Sequence, residues 1–191
     1  MNNSSCSAPY SDDRSTVLRS RCLQRKQSAW TDYSCAMAQS LKASAGEHSW
    51  QVRRGFLVRD VLSSIRFETD EMELLMGRLA PRPCDMTDDM LNRAREELSR
   101  YEWPGGQTGH CELDLSSIFD SGIDGMRRYV EERAAADCAG KGVCRSFCLA
   151  LDGLAELCRN AGRTAENAVK DASSARRSEL LEMAESCMRI A

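Results

Sequence analysis

A chain of 191 residues has room for one domain, or one and a half, and enough length to bury a core. Hydrophobic residues make up 42% of it and aromatics only 6%; that balance, with abundant Ala, Leu, Met, Arg and Glu, argues for helices packed on helices rather than a β-sandwich. A net charge of -3, from 26 basic against 29 acidic residues, gives nucleic acid or an anionic membrane surface no electrostatic reason to bind.

The opening MNNSSCSAPYSDD has neither the basic nor the apolar segment of a secretory signal, and residues 1–15 read as a polar, frayed tail. No run approaches the ~18 apolar residues of a membrane span. A cytoplasmic protein with no membrane partner is expected. Thr16 to Ala45 carries sparse apolar positions (Val17, Leu18, Cys22, Trp30, Met37, Leu41) and predicts one or two helices. Gly46 breaks the run. Leu57, Val58, Val61, Leu62 and Ile65 then recur at helical spacing and predict an amphipathic helix from Trp50 to Ile65. Glu73-Leu74-Leu75-Met76-Gly77 reads as a brief buried strand or extended segment. Pro81-Arg82-Pro83 must be non-helical.

Thr87 is a good N-cap for a helix carrying Met90, Leu91, Ala94 and Leu98, ending before Trp103-Pro104. Asp114 is the next N-cap, for a helix with Leu115, Ile118, Phe119, Gly122, Met126 and Val130 facing inward. After a turn at 139–142, Phe147, Leu151, Leu154, Cys158 and Ala161 fall on one face of a long helix, with Asn160-Ala161-Gly162 marking an end, a kink or a continuation. The last helix holds Leu180, Leu181, Ala184, Cys187 and Met188 and reaches Ala191 with no stop signal, so the chain reads as cut short. No internal repeat is present.

Ten cysteines invite a metal test. No C-x-x-C occurs. Cys144 and Cys148 share a helical face with Cys158 further along, but the C-x3-C-x2-C of a radical S-adenosylmethionine cluster fails at Leu151. His48 and His110 pair with no second ligand couple of the kind zinc needs. The cysteines read as buried helical thiols, and no metal site is expected.

One stretch speaks about chemistry. In Pro104 to Leu115, Gly105, Gly106 and Gly109 let a loop pass close to something else, while Gln107, Thr108 and His110 offer hydrogen-bonding groups. Histidine can hold a substrate hydroxyl or exchange a proton near neutrality; the plainer reading is a turn with His110 on a buried carbonyl. The loop is no phosphate cradle, because G-x-G-x-x-G and G-x-x-x-x-G-K-[ST] are both absent. It has no G-x-S-x-G elbow and no paired carboxylates.

Gly109 to Met126, GHCELDLSSIFDSGIDGM, resembles the segment G-H-x-x-x-D followed by L-x-x-G-x-x-G of glycyl radical enzymes, the pyruvate formate-lyase-like proteins that include glycerol and diol dehydratases and choline trimethylamine-lyase. Two further segments match in order. Gln51 to Ile65 resembles the family's R-R-x-x-x-x-x-x-x-L helix. Glu71 to Pro83 resembles its D-x-E-L-I-V-G element, with Glu71 in place of Asp. The Cys148–Arg163 helix and Ser178 to Ala191 resemble the two helices that precede the barrel. The resemblance implies a mainly α fold: the family's helical N-terminal region over 46–191, with the α/β barrel absent, preceded by a variable 1–45.

The resemblance also assigns roles. His110 inherits the position that touches the substrate hydroxyl in the dehydratases, Asp114 caps a helix, and Gly105, Gly106, Gly109, Gly122 and Gly125 shape the loop and the helix after it. Leu115 stands where the family often has an aromatic, and the linker before the Gly-rich loop is shorter than in the dehydratases, so the substrate does not carry over. The radical glycine of R-V-x-G-[FYW] and the cysteine of G-C-x-E are absent, so no catalytic residue is assigned. The implied function is one wall of the substrate pocket of an anaerobic lyase, dehydratase or formate C-acetyltransferase-like enzyme, not competent alone. Its partners would be a separate barrel-bearing chain and a radical S-adenosylmethionine activase. No cofactor is held by this chain, and the glycyl radical belongs to a complete enzyme. A non-catalytic helical binding module, or pseudoenzyme fragment, is the alternative.

Overall fold

The computed structural model describes residues 11–24, 32–80, 86–99, 115–136 and 140–191. Seven α-helices lie among them: α1 (Ser11–Gln24), α2 (Asp32–Ala43), α3 (Trp50–Ser64), α4 (Asp88–Ser99), α5 (Ser116–Ala136), α6 (Lys141–Ala168) and α7 (Ser174–Ile190). A 3-10 turn, Val169–Asp171, joins the last two. The mainly α expectation is met; among the described residues the only β pairing is an isolated antiparallel bridge, Phe67 to Leu79.

Local chemistry accounts for the starts of α3, α4 and α7. Ser49 Oγ accepts from the Val52 amide at 3.4 Å, Thr87 Oγ1 from Met90 at 3.4 Å, and Ser173 Oγ from Arg176 at 3.4 Å. Each satisfies an amide that the first turn leaves without a helical partner.

The 28-residue α6 is the spine. It packs against α3, α5 and α7, while α2 packs on α3 and α4. Asn160-Ala161-Gly162 neither ends nor interrupts it. A Cβ at Gly162 would lie 3.2 Å from Met188, so the glycine makes room for α7. The α3–α6 crossing is tighter. A Cβ on Gly55 would sit 2.7 Å from Ser146 Cα, and one on Gly153 would sit 2.6 Å from Arg59 Cα. The two backbones therefore meet where each helix lacks a side chain, and dispersion contacts replace bulk.

Small residues dominate the interior in consequence. One cluster joins Ala38, Leu41 and Leu57, with Trp50, Met86 and Leu91 against it. The other joins Ala165, Leu180, Met183 and Ala184, with Met76 and Val169. Leu41, Leu57 and Leu180 are the largest side chains that are fully buried among the described residues. Each contributes roughly 1.5–3 kcal/mol by leaving water.

Three expectations need correction. The Glu73–Gly77 segment is not a buried strand: it is the tip of the loop closed by the Phe67–Leu79 bridge, with Leu75 82% exposed and Leu74 outward, while Met76 packs inward. Its backbone is fixed by arginines rather than by a ladder, as described below. Leu115, one residue before α5, and Phe119 within it face out, Phe119 being 80% exposed, and Ile123 is the residue that is buried. The cause is Gly122, whose φ of 66° and ψ of -175° break the helical register between the two halves. In α6, Phe147 is exposed, and Gly153, Ala155, Ala161, Gly162 and Ala165 form the buried set. A close crossing admits small side chains and turns the bulky ones aside.

Candidate functional site

His110, Gly105, Gly106, Gly109 and Asp114, together with Pro81-Arg82-Pro83, lie outside the described residues. Gly122 and Gly125 lie within them. The conformation at Gly122 belongs to a region that only glycine enters without strain. It folds Ser121 back over the next turn, where a Cβ on Gly125 would lie 2.3 Å from the Ser121 Cβ. One glycine supplies the backbone angle and the other leaves the space. Ser121 Oγ donates to the Ser117 carbonyl at 2.6 Å.

The elements on either side of residues 100–114 are both anchored. Glu97, near the end of α4, pairs with Arg53 of α3. Arg53 is buried; it donates to the Leu41 carbonyl at 3.1 Å and to Ser44 Oγ at 3.5 Å, and lies over the Trp50 ring at 5.9 Å. One guanidinium thus satisfies a carbonyl at the end of α2, a hydroxyl and a carboxylate, which is how a buried cation is retained. The α5 side is tied to α6 by Arg127 and Asp152 and by buried Ile123. The Arg-Arg pair read from the sequence therefore contains a structural cation, a role that its spacing did not disclose.

A second assembly surrounds the 65–80 loop. Asp70 pairs with Arg21 and with Arg78 at 3.3 Å, and Arg78 pairs with Glu73 at 2.9 Å. Arg176 donates to the carbonyls of Glu73 at 2.6 Å and Asp70 at 2.8 Å, and to Glu179 at 2.8 Å; Arg14 reaches Glu179 at 2.9 Å. A cleft of about 470 Å³ opens here, lined by Arg14, Asp70, Met72, Ala172, Arg176 and Leu180 among others. Burial pushes the Asp70 carboxyl up, but the Met72 amide, Arg21 and Arg78 outweigh it and hold it below its ordinary range. Arg176 does the same for Glu179, against burial and with Arg14 assisting. Carboxylates so held stay ionised near neutrality and cannot donate protons there.

A shallower groove of about 450 Å³ runs between the end of α3 and α6. Asn160 donates to the Ser63 carbonyl at 2.9 Å and the Ile65 carbonyl at 3.4 Å, satisfying acceptors that the end of α3 leaves over. No group of three or more His, Cys, Asp or Glu residues able to hold a metal occurs among the described residues. Within the same residues no helix is long and apolar enough to cross a membrane.

No protein-family model matches this sequence, and no curated protein matches it. Solved structures do. A glycerol-bound B12-independent glycerol dehydratase from Clostridium butyricum superposes with a TM-score of 0.74 at 14% identity, over 96% of this chain and 32% of its own. A glycyl radical enzyme from Archaeoglobus fulgidus superposes with a TM-score of 0.68 at 15% identity, over 93% of this chain and 31% of its own. The chain thus spans about a third of the length of the structures it matches. Its fold is that of a segment of glycyl radical enzymes.

Proposed function

We propose that this chain is the N-terminal helical part of a glycyl-radical-type lyase or dehydratase, supplying one wall of a substrate pocket through His110 and lacking radical catalysis by itself. The observation that carries the reading is the asymmetry of the match: nearly the whole chain superposes on a third of the glycerol dehydratase. The ordered motifs at 51–65, 71–83 and 109–126 support it from the sequence side. Exposed Leu75, Phe119, Leu181 and Ile190 are apolar surface that a further chain would cover.

In this reading residues 46–191 are the pyruvate formate-lyase-type region and 1–45 a variable addition. The radical glycine and the hydrogen-abstracting cysteine come from a separate barrel-bearing chain, armed by a radical S-adenosylmethionine activase in an anaerobic cytoplasm. His110 holds a substrate oxygen, with Gly105, Gly106 and Gly109 allowing the loop to approach the substrate, and Asp114 caps the helix beyond. The chain brings no cofactor of its own.

Anaerobic co-expression with barrel-bearing candidates and an activase tests the proposal. A stable complex with a glycyl electron-spin signal is expected. His110→Ala should lower turnover about 100-fold while leaving that signal intact. Failure to join any candidate chain removes the split-enzyme reading. The exposed apolar residues equally suit a non-catalytic binding module. A sharply unfolding monomer in isolation favours that reading; a molten, self-associating species favours the incomplete enzyme.

A further inference from the structure

Helix α5 changes direction at Gly122, the one residue with positive φ among the described residues. Beyond it, α5 is anchored on α6 by buried Ile123 and by the Arg127–Asp152 pair. Before it, the arm Ser116–Ser121 is thinly packed: Ile118 is half-buried, and Ser116, Ser117, Phe119, Asp120 and Ser121 are exposed. Leu115, just before the arm, is exposed as well.

The apolar pattern fits a different shape. Leu115, Phe119, Ile123, Met126 and Val130 fall at i, i+4, i+8, i+11 and i+15, which is one stripe of a continuous helix. The turn at Gly122 parts the first two members of that stripe from the last three. Ile123 is buried and Met126 and Val130 are half-buried, while Phe119 is 80% exposed. Opposed forces meet at this bend. Glycine inside a helix gives up more conformational freedom than any other residue, and straightening would set Asp120 one turn from Asp124 with like charge. Removal of Phe119 from water pulls the other way.

We propose that α5 carries a two-position arm. Ser116–Ser121 swings about Gly122 between the kinked form, which presents Leu115 and Phe119 to solvent, and a straightened form, which lays them along the Ile123 face. Both glycines meet needs of the kinked form alone. Gly122 has a φ of 66° and a ψ of -175°, a combination that other residues enter only with strain. A Cβ on Gly125 would overlap that of Ser121, and beyond Ser121 nothing lies closer to it than the Arg128 guanidinium at 3.8 Å. In a continuous helix φ turns negative at 122, and side chains four residues apart stand about 5–6 Å from each other. The arm thereby offers or withdraws an apolar contact without disturbing the rest of α5, whose anchors lie beyond the pivot. The device belongs to this chain alone and needs no barrel-bearing partner.

The test places 4-fluorophenylalanine at the four Phe positions and follows Phe119 by fluorine NMR, its resonance assigned by its loss in Phe119→Leu. Broadening by a dissolved gadolinium chelate reads exposure. In the wild-type chain Phe119 should broaden more than half-buried Phe56 and Phe67. Gly122→Ala and Gly125→Ala, which suit only the continuous helix, should each bring Phe119 down to the level of Phe56. Amide exchange at 119–126 should slow about tenfold in both. Phe147, exposed on α6, should broaden equally in all three chains. Failure of either glycine variant to fold overturns the proposal, because a straightened arm accepts both methyl groups. So does a folded variant in which Phe119 stays as exposed as in wild type, or in which exchange at 119–126 quickens, the sign of an arm that frays.

Discussion

Two regions of this chain are held in place by opposite means. The α3–α6 seam is held chiefly by shape: Gly55 and Gly153 let backbones meet, and Arg145 of α6 adds a cation over the Phe56 ring of α3. The 65–80 loop is held by charge: Arg21, Arg78 and Arg176 bind its carboxylates and carbonyls, while Leu74 and Leu75 point outward. A seam of the first kind tolerates no added atom and depends little on ionisation. A clamp of the second kind tolerates added volume but depends on ionisation.

The largest expected effect is at the seam. Gly153→Leu places a side chain where Arg59 backbone atoms already lie 2.6–3.3 Å from an ideal Cβ, and no rotamer relieves a clash with backbone. A loss of about 3 kcal/mol or more is expected in urea unfolding. Gly46→Ala, where nothing lies within 4 Å, is the matched control and should be near neutral. Equal effects from the two substitutions would dissolve the claim that shape holds the seam.

Next is the clamp. Arg176→Ala leaves the Asp70 and Glu73 carbonyls without their donor and should cost about 2 kcal/mol. The effect should appear first as faster hydrogen exchange at 66–80, ahead of the α3 and α6 amides. Arg176→Lys should restore only part, since one ammonium cannot repeat the fork.

A smaller effect is expected from acid. Asp70 and Glu179 have folded pKa values below their unfolded ones, so the unfolded chain binds more protons in the window between. Their contribution is complete above about pH 4–5 and is lost as pH falls through the folded values. Exchange from 66–80 should therefore rise below pH 4 while the seam stays protected. A uniform loss across both regions would count against the division. The smallest effect belongs to Phe119→Ser, which should change stability by less than about 0.5 kcal/mol and reduce self-association of the isolated chain.

The start of α4 was legible because it rests on local chemistry: Thr87 caps as its residue type allows, and Ser49 and Ser173, which the sequence reading passed over, cap in the same way. The extent of α3 was legible from apolar spacing. The direction in which Phe119 and Phe147 point was not, because it depends on a positive φ at Gly122 and on a close crossing at Gly153, both tertiary facts. Leu74-Leu75 imitates a buried strand because apolar composition reports burial only when nothing stronger fixes the backbone; here Arg176 of α7 binds the backbone carbonyls, and Arg21 of α1 the Asp70 carboxylate. The Gly105–His110 reading stands on sequence alone.

The Arg176 clamp also bears on the order in which the chain can fold. Its donors lie 103 and 106 positions from the carbonyls they bind. During synthesis the 65–80 loop emerges long before the residue that clamps it, with only its own contacts to hold it, the Phe67–Leu79 bridge and the pairs of Arg78 with Asp70 and Glu73. The Arg176 contacts must therefore close among the last, after α6 has formed the platform that brings α7 back across the loop.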